Sequence, residues 1–263
     1  TATTSTASIF PYASTTAISS SYASSTAYYG AGLQACNATT GKLVWSNGSF
    51  TCGTDSSSKS TVVTVAAVNS LNTAGADYVA DGVADEATIQ AAIDSLTNGG
   101  IVQLLDGTFT FSTSTVFTNL HNNITLIGQG ASSTVITGPI ANSVPYIRFN
   151  IPANSTSTGI TLKNFTIDGT NHVTSTSFAS GLIMDLSNGA LSNITIENLY
   201  IKAKGTYDNA INFSSDVGRN ENVRIVNNRI ENLTDALTYY AIEIRKKTDY
   251  LWIEGNYINS YND

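Results

Sequence analysis

The stretch Asp77–Phe111 reads DYVADGVADEATIQAAIDSLTNGGIVQLLDGTFTF, and it decides the fold because it predicts one short helix followed at once by a strand. Asp85 stands where the N-cap residue of the helix is expected. Apolar side chains then recur at helical spacing in one narrow stripe: Ile89, Ala92, Ile93 and Leu96. The run Asn98–Gly100 ends the helix, and Ile101–Leu105 follows as an apolar strand. So short a helix cannot bury its stripe alone, so we expect it to cover the open end of a β-solenoid.

A repeat in the second half of the chain supports the same architecture. Its period is roughly thirty residues, which is typical of a solenoid. Branched apolar residues occupy positions one, three and eight of four aligned segments: Ile160–Ile167, Ile194–Ile201, Val223–Ile230 and Leu251–Ile258. Alternation at positions one and three indicates a strand with one buried face, and the later Ile needs a bend before it points inward again.

The predicted bends carry residues that tolerate a left-handed backbone: Asn164, Asn198, Asn227 and Gly255. If each bend is a corner of the solenoid, the last Ile of every segment should stack in one internal line: Ile167, Ile201, Ile230 and Ile258. Asn side chains stacked at the corners are expected to hydrogen-bond along the axis as a ladder. The segment Ile124–Gly130 is interpreted as an earlier coil of the same kind.

The opening stretch resembles the start of the pectate-lyase-like right-handed β-helix superfamily, whose members often carry the pattern DGV.D…IQAAID…GG.V.L..GTF. The residues that match it are Asp81–Val83, Ile89–Asp94, Gly99–Gly100 and Gly107–Phe109. The resemblance implies an all-β fold, a right-handed single-stranded parallel β-helix (solenoid) with a short N-terminal capping α-helix, over residues 61–263. A low-complexity extended segment precedes it.

Composition agrees with many short strands joined by polar turns, because only 12% of the residues are charged and Pro occurs four times. The formal net charge of −7 argues against nucleic acid as a partner, since phosphate binding needs a basic surface. No apolar run reaches the length of a membrane span. No signal peptide is visible, and we expect the sequence to be a piece of a longer chain.

Residues 1–32 are rich in Ser, Thr and Ala, and are interpreted either as a disordered linker or as a stalk that becomes ordered by association, with a homotrimer as a candidate assembly. Residues 33–60 are predicted to form a β-hairpin that holds Cys36 and Cys52. The even count favours a disulfide over free thiols. An extracellular, cell-surface or virion location follows. The segment is similar to linkers of bacterial surface proteins and phage tail-fibre or tailspike-type proteins.

Metal and thiol chemistry receive no support from the sequence. The two histidines, His121 and His172, are expected in separate surface turns, so a His-based metal site is not predicted. Neither cysteine has a nearby His that would activate a thiolate.

Carboxylates and one basic run are the remaining candidates for catalysis. Asp208 and Asp235 occur in similar sequence contexts, and two carboxylates on one face suit a glycoside hydrolase. Arg245 and Lys247 belong to the densest basic run, and a basic residue near a uronate, often with calcium, suits a polysaccharide lyase. Calcium is therefore the one candidate cofactor.

The long parallel coils suggest a polysaccharide ligand. Tyrosines near the turns are candidate stacking groups for sugars: Tyr207, Tyr239, Tyr240 and Tyr257. Two functions stay open at this stage, since fold alone cannot choose between them. One is a protein that binds and cleaves polysaccharide as a lyase or a hydrolase, and the other is a non-catalytic adhesin or structural fibre module.

Overall fold

The computed structural model describes residues 41–46, 49–54, 61–138, 144–171, 180–203, 208–213, 217–232 and 240–260. The chain divides into two compact units, Thr1–Ser57 and Ser58–Asp263. In the first unit, strand β1 (Gly41–Ser46) pairs antiparallel with β2 (Ser49–Thr54), and the backbone of Leu43 lies opposite Cys52. Cys36 and the predicted stalk lie outside the described residues. The disulfide and the trimer therefore stay predictions.

Parallel strands of the second unit form three sheets, which the chain visits in turn. Sheet 1 has nine strands in the described part of the chain: β3 (Val62–Ala66), β4 (Tyr78–Val79), β5 (Gly100–Leu104), β8 (Ile124–Ile127), β11 (Thr156–Thr158), β12 (Thr161–Lys163), β15 (Ala190–Glu197), β18 (Asn220–Val226) and β21 (Thr248–Glu254). Sheet 2 has six: β6 (Gly107–Thr110), β9 (Thr134–Thr137), β13 (Thr166–Asp168), β16 (Tyr200–Ala203), β19 (Arg229–Asn232) and β22 (Tyr257–Ser260). Sheet 3 has five: β7 (Thr115–Phe117), β10 (Ile147–Phe149), β14 (Ser180–Asp185), β17 (Asp208–Phe213) and β20 (Ile242–Ile244).

Neighbouring strands in these sheets come from successive coils and run parallel, as in the pairs β12–β15, β13–β16 and β14–β17. The second unit is therefore an all-β parallel β-helix, which confirms the predicted fold class. Its regular structure also includes helix α1 (Glu86–Ser95) and a 3₁₀ turn (Gly169–Asn171). No helix in the described ranges is long and apolar enough to cross a membrane.

The predicted internal line of isoleucines is present in sheet 2. Ile167 pairs with Ile201, Ile201 with Ile230, and Ile230 with Ile258. The first three are buried, and Ile258 is half exposed because it lies on the last described strand of the sheet. Replacement of any buried member by a charged residue would place an unpaired charge in the core.

The corners between sheet 1 and sheet 2 adopt the left-handed backbone that the sequence predicts. Their φ angles are 62° at Asn164, 51° at Asn198, 56° at Asn227 and 66° at Gly255. At Gly255 a Cβ would approach Asn227 Oδ1 to 2.3 Å, so a larger residue at this corner would force the Asn227 side chain to move.

The asparagine ladder exists, but it uses the residue after the corner. Asn228 Oδ1 accepts a hydrogen bond from Leu199 N at 3.0 Å, and Asn228 Nδ2 donates to Asn256 Oδ1 at 3.0 Å. Asn256 Nδ2 in turn donates to Ile225 O at 2.7 Å. The corner residue Asn227 is exposed, whereas Asn228 is buried, so the ladder forms where an Asn side chain points into the solenoid.

Helix α1 closes the first coils, and the buried stripe confirms the prediction: Ile89, Ala92, Ile93 and Leu96. Asp85 occupies the N-cap position but makes no capping bond within the helix. Its carboxylate instead accepts from Gly82 N at 2.8 Å and Thr110 N at 2.7 Å. The carboxylate of Glu86 accepts from Ser112 N at 3.0 Å. Both side chains therefore tie the start of the helix to the chain at and just after β6.

Candidate functional site

The outer surface of sheet 2 carries a group of charged and aromatic side chains from successive coils. Tyr200, Arg229 and Tyr257 stand in register on successive coils. Asp168, Lys202 and Glu231 form a second column two residues along each strand. Neighbouring strands lie about 4.8 Å apart, so side chains in one column touch. We call these six residues the sheet 2 face.

Two cations lie over aromatic rings on this face. The guanidinium carbon of Arg229 is 4.8 Å from the ring centroid of Tyr200 and 5.9 Å from that of Tyr257. Lys202 Nζ is 5.3 Å from the Tyr200 centroid. All three distances fall within the range of cation–π attraction. The rings therefore hold both cations at the surface.

Each cation is also paired with a carboxylate. Lys202 Nζ donates to Asp168 Oδ2 at 2.9 Å. Arg229 Nε donates to Glu231 Oε1 at 2.8 Å, and Tyr200 Oη donates to the other oxygen of Glu231. The carboxylates are the less accessible partners, with side-chain exposures of 19% for Asp168 and 8% for Glu231 against 29% for Lys202 and 58% for Arg229. A ligand that approaches this face therefore meets the cations.

The contacts fix the protonation states on this face. Hydrogen bonds from Tyr200 and Arg229 lower the pKa of Glu231. Burial by itself raises the pKa of Asp168, but hydrogen bonds from Thr170 and Lys202 outweigh it and hold the pKa below its usual value. Burial and the neighbouring Glu231 raise the pKa of Tyr200 to about 12. The carboxylates are therefore ionised and the phenol is neutral at neutral pH.

A cleft of about 690 Å³ opens beside the face. Its walls combine residues of the two earlier coils and of the corners with three residues of the face: Ala131, Ser132, Val135, Thr166, Asn198, Leu199, Tyr200, Lys202, Asn227 and Arg229. The volume lies within the range of small-molecule sites.

The residues predicted from the sequence are distributed differently. Asp208 is the first residue of β17, where its backbone pairs with Ser180. Tyr240 is exposed, and its backbone N donates to Asn209 Oδ1 at 2.9 Å, so it lies near the start of β17. Asp235, Tyr207 and Tyr239 lie outside the described residues.

The predicted basic residues follow the other end of sheet 3. Arg245 and Lys247 come directly after β20 and are both exposed. Tyr257 lies on sheet 2 instead. The structure thus groups Asp208 with Tyr240, and places Tyr257 with the sheet 2 face. The catalytic roles of Asp208, Asp235, Arg245 and Lys247 stay predictions.

Lys246, which lies between Arg245 and Lys247 in the sequence, has a structural role. Its side chain has no exposed surface, and Nζ donates to Asp185 Oδ2 at 3.1 Å, Ser187 O at 3.0 Å and Gly189 O at 2.8 Å. Asn220 Nδ2 donates to the same oxygen of Asp185 at 3.0 Å. All three N–H donors of the ammonium group are therefore used in the interior.

The expectation that His121 is a surface turn residue is wrong. It is 7% exposed and its Nε2 lies 2.8 Å from Asp94 Oδ1. Its Nδ1 accepts from Thr118 N at 2.9 Å, so in the neutral ring Nε2 carries the proton that Asp94 accepts. Both ring nitrogens are hydrogen-bonded, so the pair of His121 and Asp94 connects helix α1 to the loop after β7.

Among the described side chains, no group of three or more His, Cys, Asp or Glu residues could hold a metal. Calcium binding stays a prediction.

Sequence reasoning named aromatic residues of the sheet 2 face, such as Tyr257, but not its charged residues, although the aligned repeat contains them. Position seven of the four segments reads Thr166, Tyr200, Arg229 and Tyr257, and the residue after each segment reads Asp168, Lys202, Glu231 and Asn259. Both positions flank the inward Ile and therefore point outward. Comparing residues down these two columns would have shown the alternating charges.

Comparison with known proteins yields structural likenesses of low sequence identity. No family model matches the chain, and no curated protein matches it. A solved structure of ORF18 from Geobacillus virus E2 is 16% identical with a TM-score of 0.45, over 85% of this chain and 47% of that one. The A-module of the Azotobacter vinelandii mannuronan C-5 epimerase AlgE6 is 20% identical with a TM-score of 0.44, over 68% and 54%. The AlgE4 A-module is 16% identical with a TM-score of 0.38, over 67% and 55%. The chain thus spans about half the length of these structures, and the assignment as a parallel β-helix rests on its own strands.

Proposed function

We propose that the protein binds polysaccharide along the sheet 2 face, and that it prefers sugars that carry carboxylate groups. One observation carries the proposal. In both ion pairs of the face the cation is more accessible than the carboxylate, and Arg229 is the most exposed of the four charged side chains. Tyr257, which is 58% exposed, supplies a ring for stacking beside it.

The spacing of the cations suits a repeating ligand. Lys202 and Arg229 belong to adjacent coils, β16 and β19. The two residues stand in different columns, because Arg229 pairs with Tyr200 and Lys202 pairs with Glu231. Their backbones are therefore displaced by one strand spacing and by two residues along the strand, roughly 8 Å in all. A polysaccharide that crosses the face obliquely can meet both cations with the carboxylates of neighbouring acidic sugars.

The chemistry of this face favours binding over cleavage. General acid or base catalysis works best with a group whose pKa lies near the working pH. Here the pKa values of Asp168 and Glu231 are lowered and that of Tyr200 is raised to about 12, so none of these three groups is set to exchange a proton at neutral pH. The candidate residues for cleavage are therefore Asp208 and Lys247, which lie beside sheet 3.

Isothermal titration with an oligogalacturonate and with a neutral hexasaccharide of similar length tests the proposal. We expect the acidic probe to bind more tightly and its affinity to fall as salt rises, because exposed charges are screened. Arg229→Gln and Lys202→Gln should each weaken acidic binding by at least about tenfold, since a hydrogen bond to a charged group contributes about 1.5–3 kcal/mol. The matched control is Lys163→Gln, which removes a cation from sheet 1.

Two results would contradict the proposal: an equal loss of acidic and neutral binding in the variants of the face, or unchanged acidic affinity in both variants. Asp208→Asn and Lys247→Ala are measured in parallel, together with release of reducing ends and unsaturated products. If only these two variants lose acidic binding, the binding site lies beside sheet 3 and not on the sheet 2 face.

The same proposal places the protein outside the cell, on a cell surface or a virion, where long polysaccharides are met. The expected disulfide between Cys36 and Cys52 belongs to this setting. Free thiols in protein purified without reductant would argue against it.

A further inference from the structure

The entrance to sheet 1 carries a column of left-handed residues, one in each coil. It comprises Asn123 (φ 55°), Gly159 (72°), Asn193 (55°), Asn222 (54°) and Tyr250 (54°). The register aligns them, since Thr125, Thr161 and Thr195 pair in successive coils and Val223 pairs with Leu251. Asn and Gly adopt this conformation readily, whereas for a bulky side chain it is a genuine outlier. Tyr250 is the one large residue in the column.

This backbone places Tyr250 beside Trp252 on the outer surface of sheet 1. The two ring centroids are 6.3 Å apart and the ring planes differ by 19°. Residues two apart on a strand are about 6.6 Å apart, so the rings stand side by side in nearly parallel planes. Tyr250 is 67% exposed and Trp252 41% exposed. A strained residue that keeps an exposed aromatic pair in place points to a binding role.

Polar groups border the two rings one coil earlier. Asn222 precedes Val223, the partner of Leu251, and so lies beside Tyr250. Arg224 pairs with Trp252, and its guanidinium carbon is 5.9 Å from the ring centroid. Both neighbours offer hydrogen-bond donors at the edge of an apolar surface. A sugar ring is complementary to such a surface, because it has C–H groups on one face and hydroxyls around its rim.

We propose that Tyr250 and Trp252, with Asn222 and Arg224 at their edge, form a second glycan site that stacks on neutral sugar rings. The neighbours of the two rings on this outer surface are polar, with Asn222 and Arg224 one coil earlier and Glu254 two residues along the strand. A stable protein interface needs about 800 Å² from each partner, far more than two side chains supply. Leu251 and Ile253 lie on the same strand but face the interior side, as their pairing with buried Val223 and Ile225 shows. The site is independent of the sheet 2 face.

Tryptophan fluorescence tests the site directly. The chain has two tryptophans, so Trp45→Phe leaves Trp252 as the reporter. Titration with two neutral probes, cellohexaose and maltohexaose, should change the emission of Trp252 with at least one of them. Trp252→Ala should abolish binding measured by calorimetry. Tyr250→Asn should weaken it at least about tenfold, the size expected when a stacking aromatic residue is removed.

Tyr250→Asn also has a readout that separates ligand binding from structure. It installs the residue found at the equivalent positions in earlier coils, so it should raise the Tm by about 2–4 °C while it weakens binding. Tyr250→Phe keeps the ring and should keep the affinity.

Three outcomes would overturn the inference: no response to either neutral probe, unchanged affinity in Trp252→Ala, or self-association of the wild type that Trp252→Ala abolishes. Acidic binding at the sheet 2 face should persist in both variants, so failure of one site is distinguishable from failure of the other.

Discussion

Replacement of Lys246 by Met tests the fully buried ion pair between Lys246 and Asp185. The substitution removes three hydrogen bonds, to Asp185 Oδ2, Ser187 O and Gly189 O, at distances of 2.8–3.1 Å. It leaves the carboxylate of Asp185, which is fully buried, with hydrogen bonds from Asn220 Nδ2 and Ser187 N. Breaking a buried ion pair in this way costs about 3–5 kcal/mol, because an uncompensated charge stays in the interior.

The measurement is thermal and urea unfolding followed by circular dichroism. For a unit of this size the expected loss lowers the Tm by about 6–20 °C. Lys247→Gln changes an exposed neighbour and should alter the free energy of unfolding by no more than about 0.5 kcal/mol. The double variant Lys246→Met with Asp185→Asn should be more stable than Lys246→Met alone, since it removes the unpaired charge.

A Tm of Lys246→Met within about 2 °C of the wild type would refute this account, because so small a shift corresponds to about 1 kcal/mol or less. Strictly additive losses in the double variant would also contradict it, since partners in one ion pair must show coupling.

Two further predictions concern sheet 2. Ile201→Asp buries an unpaired charge in the line of isoleucines and should destabilise the unit by several kcal/mol. Ile201→Val should lower the free energy of unfolding by only about 0.5–1.5 kcal/mol. Urea unfolding of both variants checks this, and a small loss for Ile201→Asp would contradict the register. Glu231 has a lowered pKa in the folded state, with Tyr200 as the main cause. Its contribution to stability is therefore complete above its unfolded pKa, about 4.3, and is lost as pH falls through the lower folded value. Urea unfolding between about pH 5 and pH 3 should show a smaller acid-induced loss in Glu231→Gln than in the wild type, and equal slopes would refute the assignment.

The fold was largely predictable because its constraints are local and repeated. The stripe of helix α1, the internal line through Ile201 and the corners at Asn164, Asn198 and Asn227 each follow from side-chain period or from backbone preference. The sequence could not show which Asn points inward, because Asn227 and Asn228 are adjacent and the backbone at the corner decides between them.

The candidate site was less predictable for a different reason. Charge density along the sequence drew attention to Arg245 and Lys247, yet the residue between them, Lys246, is buried. The sheet 2 face joins residues from four coils, such as Asp168, Lys202, Glu231 and Tyr257, which are separate in the sequence. Only the register of parallel strands brings them onto one face.

Four successive crossings of sheet 1 have a left-handed residue at each end, and this has a consequence for how the surface can change in evolution. These residues occur as pairs five positions apart: Gly159 and Asn164, Asn193 and Asn198, Asn222 and Asn227, Tyr250 and Gly255. Coil length nevertheless varies, because groups that bond between adjacent coils are 36 residues apart near Asn122 and 28 apart near Asn256. In these coils the spacing from the corner to the sheet 2 isoleucine is also constant. Length is therefore fixed from sheet 1 to sheet 2 and varies in the rest of the coil. Insertions and deletions can accumulate between the other strands and remodel the rim of a binding surface while the sheets keep their alignment. Such a solenoid can acquire a new ligand without having to evolve a new fold.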